Sequence, residues 1–298
     1  MTGTARAAPA AACVIGWPVA HSRSPLIHIY WLKHYGIAGE YRREAVRRED
    51  FAAFAGSLAT RGYVGANVTV PHKEAALALS LPDDRARAVG AANTLWLDRG
   101  LLRSTNTDVE GFLANLDACA PGWDRNVKQA VMLGAGGGAR AVIYGLLSRG
   151  IERVIVVNRT FERAEALRPI FGTAVLPAHW DDLTAVLARA ELLINTTTLG
   201  MERQPSLDLD VGLLPSDAIV ADLVYAPLVT TLLEAARARG LRTADGLGML
   251  LHQAVRGFKL WFGRTPEVTP ELRALIEADF VRPPESSVRA GMARQVER

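Results

Sequence analysis

The 298-residue sequence is poor in the residues that build disulfide frameworks and metal sites, with two cysteines, Cys13 and Cys119, and six scattered histidines. Two thiols are too few for a disulfide framework, which favours a reducing compartment, and we therefore predict a cytoplasmic protein. The sequence has no cluster of His, Cys and carboxylate residues with the spacing of a tetrahedral metal site, so we expect no bound metal.

The sequence also lacks a large excess of charge of one sign and a long apolar run. Its formal net charge is +3, and its Lys and Arg residues are spread along the chain. No stretch approaches the roughly 20 apolar residues of a membrane span. We therefore predict neither a nucleic-acid nor a membrane partner, whereas a small anionic ligand remains open. Residues 1–10, rich in small side chains, and residues 282–298, without hydrophobic periodicity, are predicted to be disordered tails.

The sequence does contain a regular alternation of short apolar runs and helical segments. Between residues 128 and 245 the runs AVML, VIVV, LLIN and IVADLV are separated by segments with helical spacing. This alternation predicts a parallel sheet with crossover helices on both faces. The first hundred residues predict a second α/β unit, with strands near 12–17, 40–46, 64–70 and 92–97 and helices near 25–35, 49–60 and 73–79.

A glycine-rich loop, GAGGGARA, follows the first of these apolar runs and opens directly into a predicted helix. Gly134, Gly136 and Ala139 fit the G-x-G-x-x-[GA] spacing, which provides a tight turn, a bare backbone near a pyrophosphate and a small residue where helix meets strand. The alternative is a tight turn without a ligand. We predict a dinucleotide site whose phosphates lie against Gly134, Ala135, Gly136, Gly137 and Gly138.

The residues after the next predicted strand indicate which dinucleotide binds. An NAD-binding protein usually has Asp or Glu there, on the ribose 2′-hydroxyl, whereas this chain has Asn158, Arg159, Thr160 and Arg163. Guanidinium groups bind a 2′-phosphate through charge-assisted hydrogen bonds, and cations gain nothing from the dipole at a helix N-terminus. We therefore predict NADP as the cofactor.

Four short polar sets lie at predicted strand ends or turns of the first unit: HSRSP (21–25), NVTVPHK (67–73), AANT (91–94) and NTD (106–108). Each set has an ordinary structural interpretation. Ser24 can be an N-cap before Pro25, Thr69 a strand residue, Asn93 a turn former and Asp108 another N-cap.

Taken together, nine motifs in this order resemble the shikimate dehydrogenase family over residues 13–275: HSxSP, NVTVPxK, AxNT, NTDxxGF, GAGGxxRA, NRT, INxTxxGM, DLVYxPxxTxLL and GLGMLxxQ. The resemblance implies reversible reduction of 3-dehydroshikimate to shikimate with NADPH, in the route to aromatic amino acids. It also implies two α/β domains separated by an active-site cleft. These are an N-terminal substrate domain, residues 11–107 completed by helices in 246–280, and a Rossmann-type doubly wound NADP domain, residues 108–245.

The resemblance assigns roles residue by residue. Lys73 and Asp108 match the catalytic pair, which the chemistry explains because hydride transfer to a ketone requires a proton donor at its oxygen. Ser22, Ser24 and Tyr225 match residues that hold the substrate carboxylate. The remaining assignments are ring-hydroxyl contacts from Thr69, Asn93, Lys73, Asp108 and Gln253, and cofactor contacts from Leu223, Gly246 and Asp84. Met249 either flanks the nicotinamide or packs in the core, His72 is expected to be a half-exposed turn residue, and His21 and Arg23 are expected to point away from the ligand.

Two alternatives remain at this stage. A quinate or dual quinate/shikimate dehydrogenase is one, although by resemblance quinate-preferring members tend to carry Thr at position 24 and an acidic residue near Asn158. A non-catalytic ligand sensor on the same fold is the other, although the retained Lys73 and Asp108 argue against it. The expected partner is a small molecule, shikimate or 3-dehydroshikimate, and the chain is predicted to be a monomer or a homodimer.

Overall fold

A computed structural model describes residues 9–281 of the chain. The C-terminal tail predicted at 282–298 and most of the N-terminal tail lie outside the described residues. The N-terminal boundary needs one correction, because Ala10 is already the first residue of a strand.

Six strands form the first sheet: β1 (Ala10–Gly16), β2 (Gly39–Ala45), β3 (Tyr63–Val68), β4 (Leu81–Pro82), β5 (Thr94–Asp98) and β6 (Leu101–Thr105). Their order is β2-β1-β3-β5-β6-β4. The first three strands run parallel, whereas β5 is antiparallel to both β3 and β6. This sheet is therefore mixed.

Six further strands form the second sheet: β7 (Gln129–Leu133), β8 (Arg153–Val157), β9 (Val175–Ala178), β10 (Leu192–Asn195), β11 (Ile219–Asp222) and β12 (Arg242–Ala244). All neighbouring pairs are parallel, in the order β12-β11-β10-β7-β8-β9. The chain reverses its direction of winding between β7 and β10. In doubly wound sheets of this kind, ligands bind at the carboxyl ends of the strands near that switch point.

Thirteen α-helices lie among the described residues: α1 (Ser24–His34), α2 (Phe51–Gly56), α3 (Lys73–Ala78), α4 (Asp84–Val89), α5 (Asp108–Cys119), α6 (Trp123–Asn126), α7 (Gly137–Ser148), α8 (Phe161–Glu165), α9 (Arg168–Phe171), α10 (Leu183–Leu187), α11 (Thr231–Ala238), α12 (Gly246–Phe262) and α13 (Pro270–Val281). Short 3-10 turns at Trp180–Asp182 and Val211–Leu213 complete the set. Within residues 9–281, no helix combines the length and apolarity required to cross a membrane.

The predicted α/β fold class is confirmed, and the differences concern short elements. The strands β4, β9 and β12 and the hairpin of β5 with β6 were not predicted. The hairpin turns at Arg99 and Gly100, whose φ angles are 51° and 81°. Turns of this type usually carry Asn-Gly or Asp-Gly, so an arginine at the first position gives no recognisable signal.

The last two long helices return to the first unit. Residues of α1, α12 and α13 share one apolar cluster that contains Trp31, Phe258 and Ile276. Helix α12 also packs along α5, and the contact is close because small residues face it. A Cβ on Gly111 would lie 2.7 Å from the Met249 carbonyl oxygen, and one on Gly248 would lie 1.7 Å from Asn115 Oδ1. The two sheets are therefore joined by closely packed helices.

Candidate active site

A cavity of about 340 Å³ is lined by segments that follow strands of both sheets and by helix α12. Its walls include every residue that was predicted to contact the substrate: Ser22, Ser24, Thr69, Lys73, Asn93, Asp108, Tyr225 and Gln253. These residues span more than two thirds of the sequence. The fold therefore brings residues of all four predicted polar sets into one cavity.

Lys73 and Asp108 form an ion pair inside this cavity. Lys73 Nζ lies 2.5 Å from Asp108 Oδ2, and the two side chains are 24% and 12% exposed. Asp108 is the first residue of α5, where the positive end of the helix dipole favours a carboxylate. Lys73 is the first residue of α3. An ammonium held by a partly buried carboxylate is well placed to give a proton to a neighbouring oxygen and to recover it.

Asn93 orients the carboxylate of this pair. Its Nδ2 donates to Asp108 Oδ1 at 2.8 Å, while its Oδ1 accepts from the Thr107 backbone N–H at 2.7 Å. The backbone N–H of Asp108 in turn donates to Asn106 Oδ1 at 3.1 Å. The buried amides therefore hold the carboxylate and the backbone of Asp108 in one arrangement, as buried polar groups require.

The cavity lining includes three hydroxyl side chains, Ser22, Ser24 and Tyr225, and α1 begins at Ser24. The expected N-cap role of Ser24 is incorrect: α1 begins at Ser24, the N-cap position is Arg23, and no side chain caps the helix. The Ser24 backbone N–H donates to Ser22 Oγ at 3.3 Å instead. The Ser24 side chain, which lines the cavity, is therefore not used for capping.

Two expectations about neighbouring side chains are corrected. His21 and Arg23 do not point away from the ligand space, since both line the cavity. His72 is not half-exposed but buried, at 1% exposure. Its ring stacks on Phe51, and Nε2 lies 2.7 Å from the Val46 carbonyl oxygen. A stacking partner distant in sequence explains this burial, so His72 supports the loop that carries Lys73.

The cavity is also lined by Leu223, Gly246, Met249 and Gln253. A Cβ on Gly246 would lie 2.3 Å from the Leu223 carbonyl oxygen, so glycine permits this close approach. Met249 lines the cavity and packs against the core beneath the second sheet, which confirms the core packing considered for it, while its contact with the nicotinamide stays a prediction. Gln253 Nε2 donates to the Leu250 carbonyl at 3.1 Å.

The glycine loop has the local geometry that a pyrophosphate requires. Gly134 follows β7 with a φ of 101°, a region that favours glycine. Nothing lies within 4 Å of a Cβ built on Gly136 or Gly137, and Gly136 is the N-cap of the twelve-residue helix α7. The open backbone and the free N–H groups of this helix N-terminus fit a phosphate group.

The next strand end supplies cations. Asn158, Arg159 and Thr160 follow β8, and Arg163 lies in α8. Both arginines are exposed, and the ion pairs found within residues 9–281 involve other side chains. Asn158 Nδ2 donates to the Thr160 carbonyl at 2.7 Å and shapes this turn. The residues present therefore fit a 2′-phosphate.

Of the predicted cofactor contacts, Leu223 and Gly246 line the cavity, whereas the glycine loop and the basic turn after β8 do not. Asp84 does not line it either, and its fully exposed carboxylate pairs with Arg87 at 2.9 Å. Within the described range 9–281, no group of three or more His, Cys, Asp or Glu residues is arranged to hold a metal ion.

Two buried polar residues, Asn67 and Asp222, were not singled out from the sequence. Asn67 lines the cavity and accepts the Tyr41 hydroxyl at 2.6 Å. Asp222 lies at the end of β11, where burial raises its pKa although three hydrogen bonds from Asn195, Val224 and Thr230 oppose the shift. Each opens a motif that was recognised, so a polar residue at the end of an apolar strand was the available signal.

Three segments of the chain match models of known protein families. Residues 14–95 match the shikimate dehydrogenase substrate binding domain, residues 121–202 match shikimate / quinate 5-dehydrogenase, and residues 246–275 match the shikimate 5'-dehydrogenase C-terminal domain.

Relatives with an assigned activity align with nearly the whole chain. A shikimate dehydrogenase (NADP(+)) from Rhodopseudomonas palustris (strain BisB18) is 67% identical, over 91% of this chain and 97% of its own length. One from Nitrobacter hamburgensis is 66% identical, over 93% and 97% respectively.

Solved structures of similar proteins have the same fold. The shikimate 5-dehydrogenase of Thermus thermophilus in complex with NADP(H) and shikimate has a TM-score of 0.81 at 36% identity, covering 91% of this chain and all of that one. The quinate dehydrogenase of Corynebacterium glutamicum in complex with NAD has a TM-score of 0.84 at 33% identity, covering 91% and 99%. Since relatives at this level of identity match over nearly their full length, the chain belongs to the shikimate dehydrogenase family.

Proposed function

We propose that this protein catalyses the reversible, NADP-dependent reduction of 3-dehydroshikimate to shikimate, a step of aromatic amino acid biosynthesis. The observation that carries the proposal is the ion pair of Lys73 and Asp108 in a cavity shared by both sheets. Relatives about two thirds identical bear the name of this NADP-linked activity.

Each side chain of the cavity has a role in this proposal. The hydroxyl groups of Ser22, Ser24 and Tyr225 donate hydrogen bonds to the substrate carboxylate. Thr69, Asn93 and Gln253 reach the ring hydroxyls, which need partners because unpaired buried polar groups are costly. Lys73 gives its proton to the oxygen that becomes a hydroxyl, and Asp108 orients Lys73 and accepts from an adjacent hydroxyl.

The cofactor site in this proposal consists of the glycine loop and the basic turn after β8. Gly134, Ala135, Gly136, Gly137 and Gly138 would hold the pyrophosphate, while Arg159 and Arg163, with Asn158 and Thr160, would bind the 2′-phosphate. Leu223 and Gly246 would line the nicotinamide pocket, with Asp84 as a more distant contact. Bound NADPH supplies the hydride.

The two units divide the work in this proposal. Residues 11–107 with the helices of 246–280 bind the substrate, and residues 108–245 bind NADP. We also propose a cytoplasmic location, which the two free cysteines support, and a monomer or homodimer, which sedimentation of the purified protein would distinguish.

Substitution of Lys73 tests the proposal directly. Lys73→Ala should lower kcat for NADP-linked shikimate oxidation by about 10²- to 10⁴-fold, the usual contribution of general acid–base catalysis, and should retain NADP binding. The exposed Lys259→Ala is the matched control and should keep normal turnover. Near-normal turnover of Lys73→Ala would remove Lys73 from this role.

A quinate dehydrogenase is the second candidate, and the observation that favours it is the similarity to the quinate dehydrogenase of Corynebacterium glutamicum in complex with NAD. Ser24 and the pair Asn158-Arg159 support shikimate and NADP instead. Measuring both acids with both cofactors separates the two, and faster NAD-linked quinate oxidation would overturn our choice. Shikimate binding without any NADP-dependent absorbance change would indicate a ligand sensor.

A further inference from the structure

The last turn of α13 contacts the loop that carries Ser22 and Ser24. Asp279 Oδ2 lies 2.8 Å from Arg23 Nε, and the Arg23 guanidinium lies 5.2 Å from the ring centroid of Phe280. Arg23 also donates from Nη1 to the His21 carbonyl oxygen at 2.6 Å. One guanidinium therefore links the loop backbone to two side chains of the C-terminal helix.

The same turn also contacts the opposite wall of the cavity. The ring of Phe280 packs against the ring of Tyr225, with centroids 5.9 Å apart and planes tilted by 39°. Tyr225 follows β11 of the second sheet, whereas Ser22 follows β1 of the first. Asp279 and Phe280 thus touch both segments that hold the proposed carboxylate ligands, although these segments belong to different sheets.

The ion pair of Arg23 and Asp279 does not serve mainly to stabilise the fold or to attract the substrate by charge. Arg23 lines the cavity, but its charge is already paired with Asp279, and both side chains remain partly exposed at 24% and 31%. An ion pair with this exposure contributes little to folding stability. The proposed carboxylate ligands are neutral hydroxyl groups, whose affinity for an anion depends on their placement. The ion pair of Arg23 and Asp279 is therefore better suited to position the Ser22–Ser24 loop than to attract the substrate carboxylate directly.

A second arginine anchors the loop from the other side. Arg43, in β2, donates to the Ser22 carbonyl oxygen from Nη2 at 2.8 Å and from Nε at 3.2 Å. The Ser22 backbone is therefore held by β2, and the neighbouring Arg23 is held by α13. These two anchors share no side chain, so their effects can be measured separately.

We propose that Asp279 and Phe280 are positioning residues for substrate binding, which set the spacing between the Ser22–Ser24 loop and Tyr225 at the carboxylate end of the cavity. The inference rests on the proposed function, because it assumes that these three hydroxyl groups receive the substrate carboxylate. It assigns to the C-terminal helix a part in substrate affinity, through Arg23 on one side and Tyr225 on the other.

Kinetics of Asp279→Ala and Phe280→Leu test the proposal. We expect each variant to raise KM for shikimate by about 3- to 10-fold, the range of one lost anchoring interaction, with kcat and the KM for NADP nearly unchanged. The methyl ester of shikimate, which lacks the negative charge, should show a smaller rise in KM. Phe280→Tyr, which keeps the ring, should restore the wild-type KM.

The matched control is Glu277→Ala, which removes the pairing of Glu277 with Arg273 on the same helix at 2.8 Å. It should leave the KM for shikimate unchanged. The double variant Arg23→Ala/Asp279→Ala should resemble Arg23→Ala alone, whereas Arg43→Ala/Asp279→Ala should show additive losses.

Three results would overturn the inference. The first is an unchanged KM for shikimate in Asp279→Ala and Phe280→Leu, and the second is a change of the KM for NADP and of kcat as large as that of the KM for shikimate. The third is a rise in the KM for shikimate in Glu277→Ala as large as in Asp279→Ala. If Asp279→Ala alone lowers thermal stability, the KM for shikimate of Phe280→Leu and Phe280→Tyr decides whether the inference holds. Failure of the proposed function is distinct, because the wild-type protein would then not oxidise shikimate at all.

Discussion

Single polar side chains of the cavity are held in one orientation because each has several hydrogen-bond partners. Asn93 bonds to Asp108 through its nitrogen and to Thr107 through its oxygen, so the amide orientation follows from its neighbours. Asp108 in turn holds Lys73. The resemblance to the family predicted the pairing of Lys73 with Asp108. The bonds of Asn93 to Asp108 and Thr107 were not predicted, because they join segments that meet only in the folded chain.

We expect cofactor preference to depend on single residues as well. Arg159→Ala should raise the KM for NADP by about 10- to 100-fold, because it removes a charge-assisted hydrogen bond to the 2′-phosphate, and should leave the much weaker use of NAD unchanged. Initial rates measured against each cofactor at saturating shikimate would show this.

Arg168→Ala, an exposed arginine at the start of α9, is the control for a general loss of positive charge and should leave the KM for NADP unchanged. An equal loss of NADP and NAD affinity in Arg159→Ala would contradict recognition of the 2′-phosphate by this residue.

At the scale of elements, the start of α12 depends on close backbone contact. Asp245 caps the helix by accepting the Gly248 backbone N–H at 3.2 Å, and Gly246 lies against the carbonyl oxygens of Leu223 and Val224. These carbonyls belong to the loop that carries Tyr225. Glycine at 246 therefore allows the helix that carries Gln253 to begin directly beside this loop.

Gly246→Ala should reduce the free energy of unfolding by about 1–3 kcal/mol, since the new methyl group would meet backbone atoms that have little room to move. It should also raise the KM for shikimate by displacing the loop of Tyr225. Urea unfolding and initial-rate kinetics measure the two effects.

Gly56→Ala is the matched control, because nothing lies within 4 Å of a Cβ built on this residue of α2. Its free energy of unfolding should stay within about 1 kcal/mol of the wild-type value or rise, since alanine reduces the entropy of the unfolded chain. Equal stability of Gly246→Ala and Gly56→Ala would show that the close contact at α12 is unimportant.

At the scale of the whole molecule, α1, α12 and the first sheet enclose His28. Its ring stacks on Tyr41 with centroids 4.1 Å apart and lies 5.9 Å from the Phe258 ring centroid. Burial lowers the pKa of His28 from 6.5 to about 3. The histidine is therefore neutral in the folded protein near neutral pH, and its protonation is linked to unfolding of the whole first unit.

Stability should consequently fall on acidification. Between pH 6.5 and about 3 the unfolded chain binds a proton at this histidine and the folded protein does not, so His28 lowers the free energy of unfolding by up to about 1.4 kcal/mol per pH unit. Urea unfolding of the wild-type protein and of His28→Phe between pH 7 and 5 would show the difference as a smaller slope in the variant.

The exposed His21→Asn serves as the control and should keep the wild-type slope. If His28→Phe had the same pH dependence as the wild-type protein, the buried ring would not be the source of the acid sensitivity.

Local features of the sequence were sufficient to predict the main strands, the glycine loop and the basic turn after β8, whereas the residues of the cavity were predicted through the resemblance to the family. Apolar periodicity and motif spacing act over a few residues and are therefore visible in the chain itself. The apposition of Lys73 and Asp108, 35 positions apart, the burial of His72 and the contact of Asp279 with Arg23 were decided only by the tertiary structure. Each depends on which distant segments pack together, and side-chain direction and burial are set by that packing.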